Sequence, residues 1–334
     1  MTIGVDARDD ARDLLGGRYG VRVLEPSPPA RREAPWFADD PVNAAVDGER
    51  PVVSPIPNGD HTWDELAGDD PSIATWCADH WLGAWRPLGP VTDRPALVRT
   101  RAAWHAVAER VLAPARRASD GHIGLRFTSG GFGTPYFASA GESVQLRVDG
   151  TELLIVRAGA RHTVARVSLH DATQASPELD PALVSPRTPV ELGYHTTTSL
   201  TADVVGVADD TSAAVLGDWF GFGCSVLEAV RAGAPDSRAT RCQLWPEHFD
   251  LAVELGDEAA GGRAAYGASP GDGAHPEPYL YVSPWSEPPT DPHWNDTSFP
   301  GASLPYSSLT GDPVAARAAA LEFFGTARRL LARD

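Results

Sequence analysis

The sequence contains no lysine. Its 28 basic residues are all arginine, against 45 Asp and Glu, for a formal net charge of −17. The acids are spread along the chain, which reads as a solvated surface. That balance disfavours nonspecific DNA or RNA binding, whose main term is phosphate neutralisation, and docking on anionic lipid. Cysteine is scarce: Cys77, Cys224 and Cys242 are far apart and no C-x-x-C occurs. Neither a zinc site nor a disulfide framework is indicated, and a reducing compartment is expected. No run approaches the ~20 apolar residues of a membrane helix. Residues 1–20 mix Asp and Arg without an apolar h-region, so no signal peptide is expected and the expected location is cytoplasmic.

Several motifs are missing too. Ser129-Gly130-Gly131-Phe132-Gly133-Thr134-Pro135 lacks the G-K-[ST] of a phosphate loop and opens no helix. Its glycines suit a turn or close backbone approach. Gly223-Cys224-Ser225 is followed by Val226-Leu227, so there is no G-x-S-x-G elbow. Cys224 and Cys242 read as buried hydrophobes.

What is present is apolar substance and punctuation. The 334 residues are 42% hydrophobic with 10 Trp, enough for a full core, and 30 Pro with 32 Gly argue for many turns. The pattern predicts three segments. Residues 1–70 are Pro- and Asp-rich, with a short helix over 6–16 and the rest wrapped on the core or partly mobile. Residues 71–205 form a first α+β half, with helices over 71–86 and 95–117, Pro114 weakening the last turn of the second. Strands follow over 123–127, 144–148, 152–157 and 164–169, with a hairpin turn at Asp149-Gly150. Residues 206–334 form a second half. It has a helix over 211–232 capped by Thr211 or Ser212, strands over 245–255, 263–268 and 278–283, and a closing helix from Asp312-Pro313. Gly217, Gly221 and Gly223 interrupt the first of these helices at ~1 kcal/mol each relative to Ala, which suits close packing against a neighbour. The fold class expected is α+β, mostly antiparallel sheet with packed helices, the two halves being possible duplicates.

The densest mixture of aromatic, acidic and imidazole residues is Leu244-Trp245-Pro246-Glu247-His248-Phe249-Asp250-Leu251. Read as one strand, alternation puts Trp245, Glu247, Phe249, Leu251, Val253 and Leu255 on a buried face and His248, Asp250 and Glu254 on a polar one. His248 and Asp250 would then lie roughly 7 Å apart at ~3.3 Å per residue. By the same parity Glu277, Tyr279 and Tyr281 share a face. If the two strands are neighbours, a carboxylate, an imidazole and a phenol converge, a workable acid–base set. Trp245, Tyr279, Tyr281, Trp285 and Trp294 would supply an aromatic rim. His248, Asp250, His275 and Glu277 carry metal-binding atoms, but no H-E-x-x-H or equivalent exists, so no metal and no cofactor is expected.

The Leu244–Leu251 block resembles the W-x-x-x-F-D-L signature of an uncharacterised bacterial family of unknown function. Pro276-Glu277-Pro278-Tyr279-Leu280-Tyr281 and Leu304-Pro305-Tyr306 before a closing helix resemble it as well. The resemblance covers roughly 211–332. It implies no reaction and supplies no catalytic residues. Two functions are therefore expected in turn. One is binding of a small molecule in an aromatic-rimmed cleft by Trp245, His248, Asp250, Glu277, Tyr279 and Tyr281. The other is an enzyme of hydrolytic type, using His248 with Asp250 or Glu247. The sequence leaves the oligomeric state open.

Overall fold

A computed structural model describes residues 88–128, 130–135, 137–139, 142–158, 163–169, 196–198, 201–234, 239–240 and 242–332. The segment 1–70 and the helix expected over 71–86 lie outside the described residues. The architecture is α+β and its sheets are antiparallel.

Helix α1 (Arg94–Val107) starts at Asp93, whose side chain accepts from the Ala96 N–H at 2.9 Å. It passes without a break into a π-turn, Ala108–Leu112, and then α2 (Ala113–Asp120). Pro114 has no N–H to return to Arg110, so the ladder widens ahead of it and Ala113 N–H bonds back to Ala108 O. The helix is rerouted at Pro114 rather than ended.

The first sheet takes strands β1 (Arg126–Thr128), β2 (Gly131–Gly133), β3 (Phe137–Ser139), β4 (Glu142–Asp149), β5 (Glu152–Ala158) and β6 (Thr163–Ser168). Its order is β1-β2-β4-β5-β6, with β3 also on β4. The stretch expected to be a glycine-rich loop therefore supplies strand β2. After α3 (Ala202–Val205) comes the long helix α4 (Asp210–Ala232). Its cap is Asp209, two residues before the first of the expected caps, Thr211 and Ser212; the Asp209 carboxylate accepts from both their N–H groups, at 3.0 and 3.1 Å. The second sheet is β7 (Gln243–Trp245), β8 (Asp250–Leu255), β9 (Ala264–Ser269), β10 (Tyr279–Pro284) and β11 (Ala302–Pro305), ordered β11-β10-β9-β8-β7. Strand β11 was not expected. Helix α5 (Pro313–Leu331) closes the chain, with Asp312 as its cap.

Among the described residues, one isolated backbone bridge joins the sheets. Leu125 and Leu244 exchange both backbone hydrogen bonds, at 2.7 and 2.9 Å. Helix α4 spans this seam, packing on β1 and β2 of one sheet and β8 and β9 of the other. Its apolar stretch, Asp210–Arg231, is long enough to cross a membrane, but 71% of it is buried inside the protein, as in a core helix. Two of its glycines set the distance to each sheet. A Cβ at Gly217 would lie 2.9 Å from the backbone of Gly130, and one at Gly223 would lie 2.5 Å from the Ala268 Cβ. Trp219 Nε1 donates to Ser269 O at 2.8 Å, so the largest side chain of the helix is buried with its polar atom satisfied.

Helix propensity alone favours Ala over Gly by about 1 kcal/mol. Contact with Ala268 reverses the sign. Gly223→Ala is expected to lower unfolding free energy by about 1–2 kcal/mol through overpacking, and Ala268→Gly in the same chain should recover part of it. Urea denaturation of the two single variants and the double variant measures this.

Candidate functional site

Residues 245–255 are not one strand but a hairpin. β7 pairs with β8 through Gln243↔Ala252, Leu244↔Leu251 and Trp245↔Asp250, with 246–249 as the turn. Pro246 cannot donate to a ladder. Phe249 takes a left-handed backbone, φ 54°, and its N–H closes the turn on Trp245 O at 2.7 Å. Such a conformation costs a non-glycine residue roughly 1–2 kcal/mol. It is held because the Phe249 ring is buried against Phe132, Phe220 and His105, with centroids 5.2, 5.5 and 5.1 Å away.

The reversal breaks the expected parity. His248 is exposed on the turn and Glu247 half-buried beside it, while Asp250, expected to face solvent with His248, is only 6% exposed. β8 is covered on both faces, with Glu254 alone half-buried.

β8 and β10 are not neighbours either; β9 lies between them. They communicate across a missing side chain. Gly267 stands opposite Ala252 on one side and Tyr281 on the other. A Cβ there would sit 2.3 Å from the Tyr281 ring. The phenol lies across the glycine and its hydroxyl donates to Asp250 Oδ2. The other oxygen, Asp250 Oδ1, is buried with no hydrogen-bond partner. Burial pushes the Asp250 carboxyl above the usual carboxylate range, opposed by the Tyr281 hydrogen bond and by the fields of His248 and His105. Burial, with the Asp250 charge, likewise holds the Tyr281 phenol well above its ordinary value.

Helix α1 supplies the adjoining wall. His105 Nε2 lies 2.8 Å from Pro246 O. A carbonyl only accepts, so Nε2 is the donor in this contact. Glu109, one turn on, is 3.6 Å from the same nitrogen. It is turned inward by the π-turn and also accepts from the backbone N–H groups of Thr197 and Thr198. Burial would raise its carboxyl; the His105, Thr198 and Thr197 hydrogen bonds outweigh that and bring it to about 2.

Tyr279 shares the face of Tyr281, its ring 6.1 Å away, but its hydroxyl donates to Asp272 at 2.6 Å. Asp272 also accepts from the N–H groups of Ala274 and His275. His275 lies between Asp272 and Asp296, 2.8 Å from the latter, and packs on the Tyr279 ring at 4.2 Å. Burial raises the Asp296 carboxyl, but hydrogen bonds from Ser303 and Ser298 and the His275 charge bring it down to about 2. Arg101 of α1 donates to Pro270 O and Asp272 O.

The expected residues thus part company. Asp250 and Tyr281 meet; Tyr279 joins them through ring contact; Trp245 pairs with Asp250 along the hairpin and is half-buried. Glu277 precedes β10 instead of sharing its face, and its contacts are Ser307 at 3.0 Å and Arg94 at 3.8 Å. Of the two other rim residues, Trp285 is exposed under Arg263, and Trp294 neighbours His293. His105, Glu109 and Gly267 were not singled out. For His105 and Glu109 the only signal was their i,i+4 spacing in a helix that read as core. Among the described residues no group of three or more His, Cys, Asp or Glu is placed to hold a metal ion. No protein-family model, curated protein or solved structure matches the chain.

Two pH effects follow with opposite signs. Asp250 has a raised folded value, so its contribution to stability is full below the unfolded value, about 3.9, and is lost as pH rises through the folded one. Asp250→Asn, which cannot ionise, is expected to be more stable than wild type at pH 7 by about 1 kcal/mol or more, with the difference closing towards pH 4. Glu109 has a depressed folded value. Its contribution is present above the unfolded value and lost as pH falls from about 4.5 to about 2. Glu109→Gln is expected to cost about 2 kcal/mol at pH 7 and nothing near pH 2. Denaturant melts at several pH values measure both.

Proposed function

We propose that the protein binds a small polar molecule at the Asp250–Tyr281 pair, the ligand donating a hydroxyl or amine hydrogen bond to Asp250 Oδ1. The observation that carries this reading is the orphaned carboxylate oxygen, buried while its twin is engaged by Tyr281. An unsatisfied buried acceptor costs roughly 1–3 kcal/mol, and a ligand donor would relieve that cost. The surroundings suit a small organic ligand: the Tyr279, Tyr281 and Phe299 rings lie side by side, with Tyr281 and Phe299 at 6.2 Å, edge to face. The acid surplus of the chain argues against a nucleic acid as the partner. A cytoplasmic setting remains part of this reading.

A second reading, acid–base catalysis of a hydrolytic kind, is favoured by the raised Asp250 carboxyl beside two imidazoles. In it Asp250 holds the proton and the exposed His248 of the turn is the exchanging group.

A thermal-shift screen of small hydroxylated and amine compounds on the full chain tests the proposal. Compounds that raise the wild-type melting temperature should raise that of Asp250→Asn and Tyr281→Phe much less, an expected loss of about tenfold in affinity. His248→Ala should keep the shift under the binding reading and abolish turnover of the same compound under the catalytic one. Equal shifts in Asp250→Asn and wild type would overturn both.

A further inference from the structure

On the opposite face of the second sheet from Asp250 lies a cavity of about 350 Å³, between the end of β8, the start of β9 and the last turn of α5. Leu255, Leu331 and Ala332 make its apolar wall, and Gly256 and Gly262 leave room by having no side chain. Tyr266, Arg328 and Arg329 supply its polar atoms, with Asp257 at one side. Tyr266 is 1% exposed, its ring set edge to face on Phe324 at 5.8 Å, and its phenol lies in the field of Arg328. The Asp257 carboxylate is already engaged, accepting from the Ala259 N–H at 3.0 Å. Arg328 donates one N–H to Gly233 O, and Arg329 reaches Glu322 and Thr326 on the surface of its own helix.

We infer that this cavity is a second ligand site, separate from the Asp250 pair, and that it takes a small organic anion: an oxyanion head, carboxylate or phosphate, on an apolar body. The donor set decides the chemistry. A phenol hydroxyl and guanidinium groups offer hydrogens and positive charge, so the complement is an acceptor-rich, negatively charged group. The size lies at the small end of ordinary ligand pockets, roughly 300–1,000 Å³. Burial raises the Tyr266 phenol above its ordinary value, partly offset by Arg328, so it enters the site as a donor.

The test uses two probes on the full chain, hexanoate and inorganic phosphate, each titrated separately and followed by thermal shift and by ligand-observed NMR. Wild type should bind hexanoate in the millimolar range. Tyr266→Phe should weaken it about tenfold, the equivalent of one charge-assisted hydrogen bond, while leaving the unliganded melting temperature unchanged, since the ring and its packing on Phe324 are kept. Arg329→Gln, whose ion pair with Glu322 is exposed on both sides, should fold normally and weaken binding several-fold. Binding of phosphate as tight as that of hexanoate would support the oxyanion head and overturn the apolar body. Binding of neither probe, or equal binding by Tyr266→Phe and wild type, would overturn the site.

Discussion

The structure depends on one ring held in a costly backbone. Phe249 reaches the core only because the turn before it reverses the chain within four residues, and the turn persists only because the ring is caught between α1, β2 and α4. The two facts support each other. A left-handed non-glycine residue persists where the surroundings over-determine it. The same ring stacks on His105 within 10° of parallel, so the contact that closes the core also fixes the plane of the nearest imidazole. The hairpin that begins at Gln243 then delivers Asp250 to the interior at the first residue of β8.

The electrostatics follow from that placement. Asp250 is the one acid of the hairpin that is fully buried, and its neighbours are a phenol and two imidazoles rather than an arginine. Glu109 is also buried, yet its donors are backbone amides, a threonine hydroxyl and His105. Two carboxyl groups that both feel the His105 field are therefore shifted in opposite directions. Divergent environments of this kind separate the two groups: Glu109 stays ionised well into the acid range, and Asp250 keeps its proton to higher pH than an ordinary carboxyl.

Much of the fold was legible because its signals are local. The hairpin at Asp149-Gly150 formed, with Gly150 at φ 63° between paired Asp149 and Glu152. Asp312-Pro313 opens α5, and Gly217 and Gly223, two of the three glycines of α4 singled out, do mark close approach to the sheets. The antiparallel sheet with packed helices follows from those patterns. The site was less legible because it rests on one non-local choice. Alternation from Trp245 to Leu255 is good evidence for a strand, but Pro246 and the cost of φ 54° at Phe249 pull against each other, and only the waiting ring cluster decides between them. Periodicity cannot see that cluster, which assembles residues over a hundred positions apart. Nor can it see β9 standing between the Asp250 and Tyr281 strands, nor Pro114 widening a helix so that Glu109 turns inward. The motif-bearing residues His248 and Glu277 were conspicuous in sequence because they are polar. They are polar because they lie at the surface or near it.

Gly267 binds the history of one position to another. The Tyr281 ring occupies the volume that any side chain at 267 would need. A lineage that gains even a methyl group at 267 must give up the phenol at 281, and one that trades the phenol for a small residue loses the reason for the glycine. The two positions should therefore drift as a pair, and relatives carrying another residue at 267 should have found a different neighbour for the carboxylate at 250.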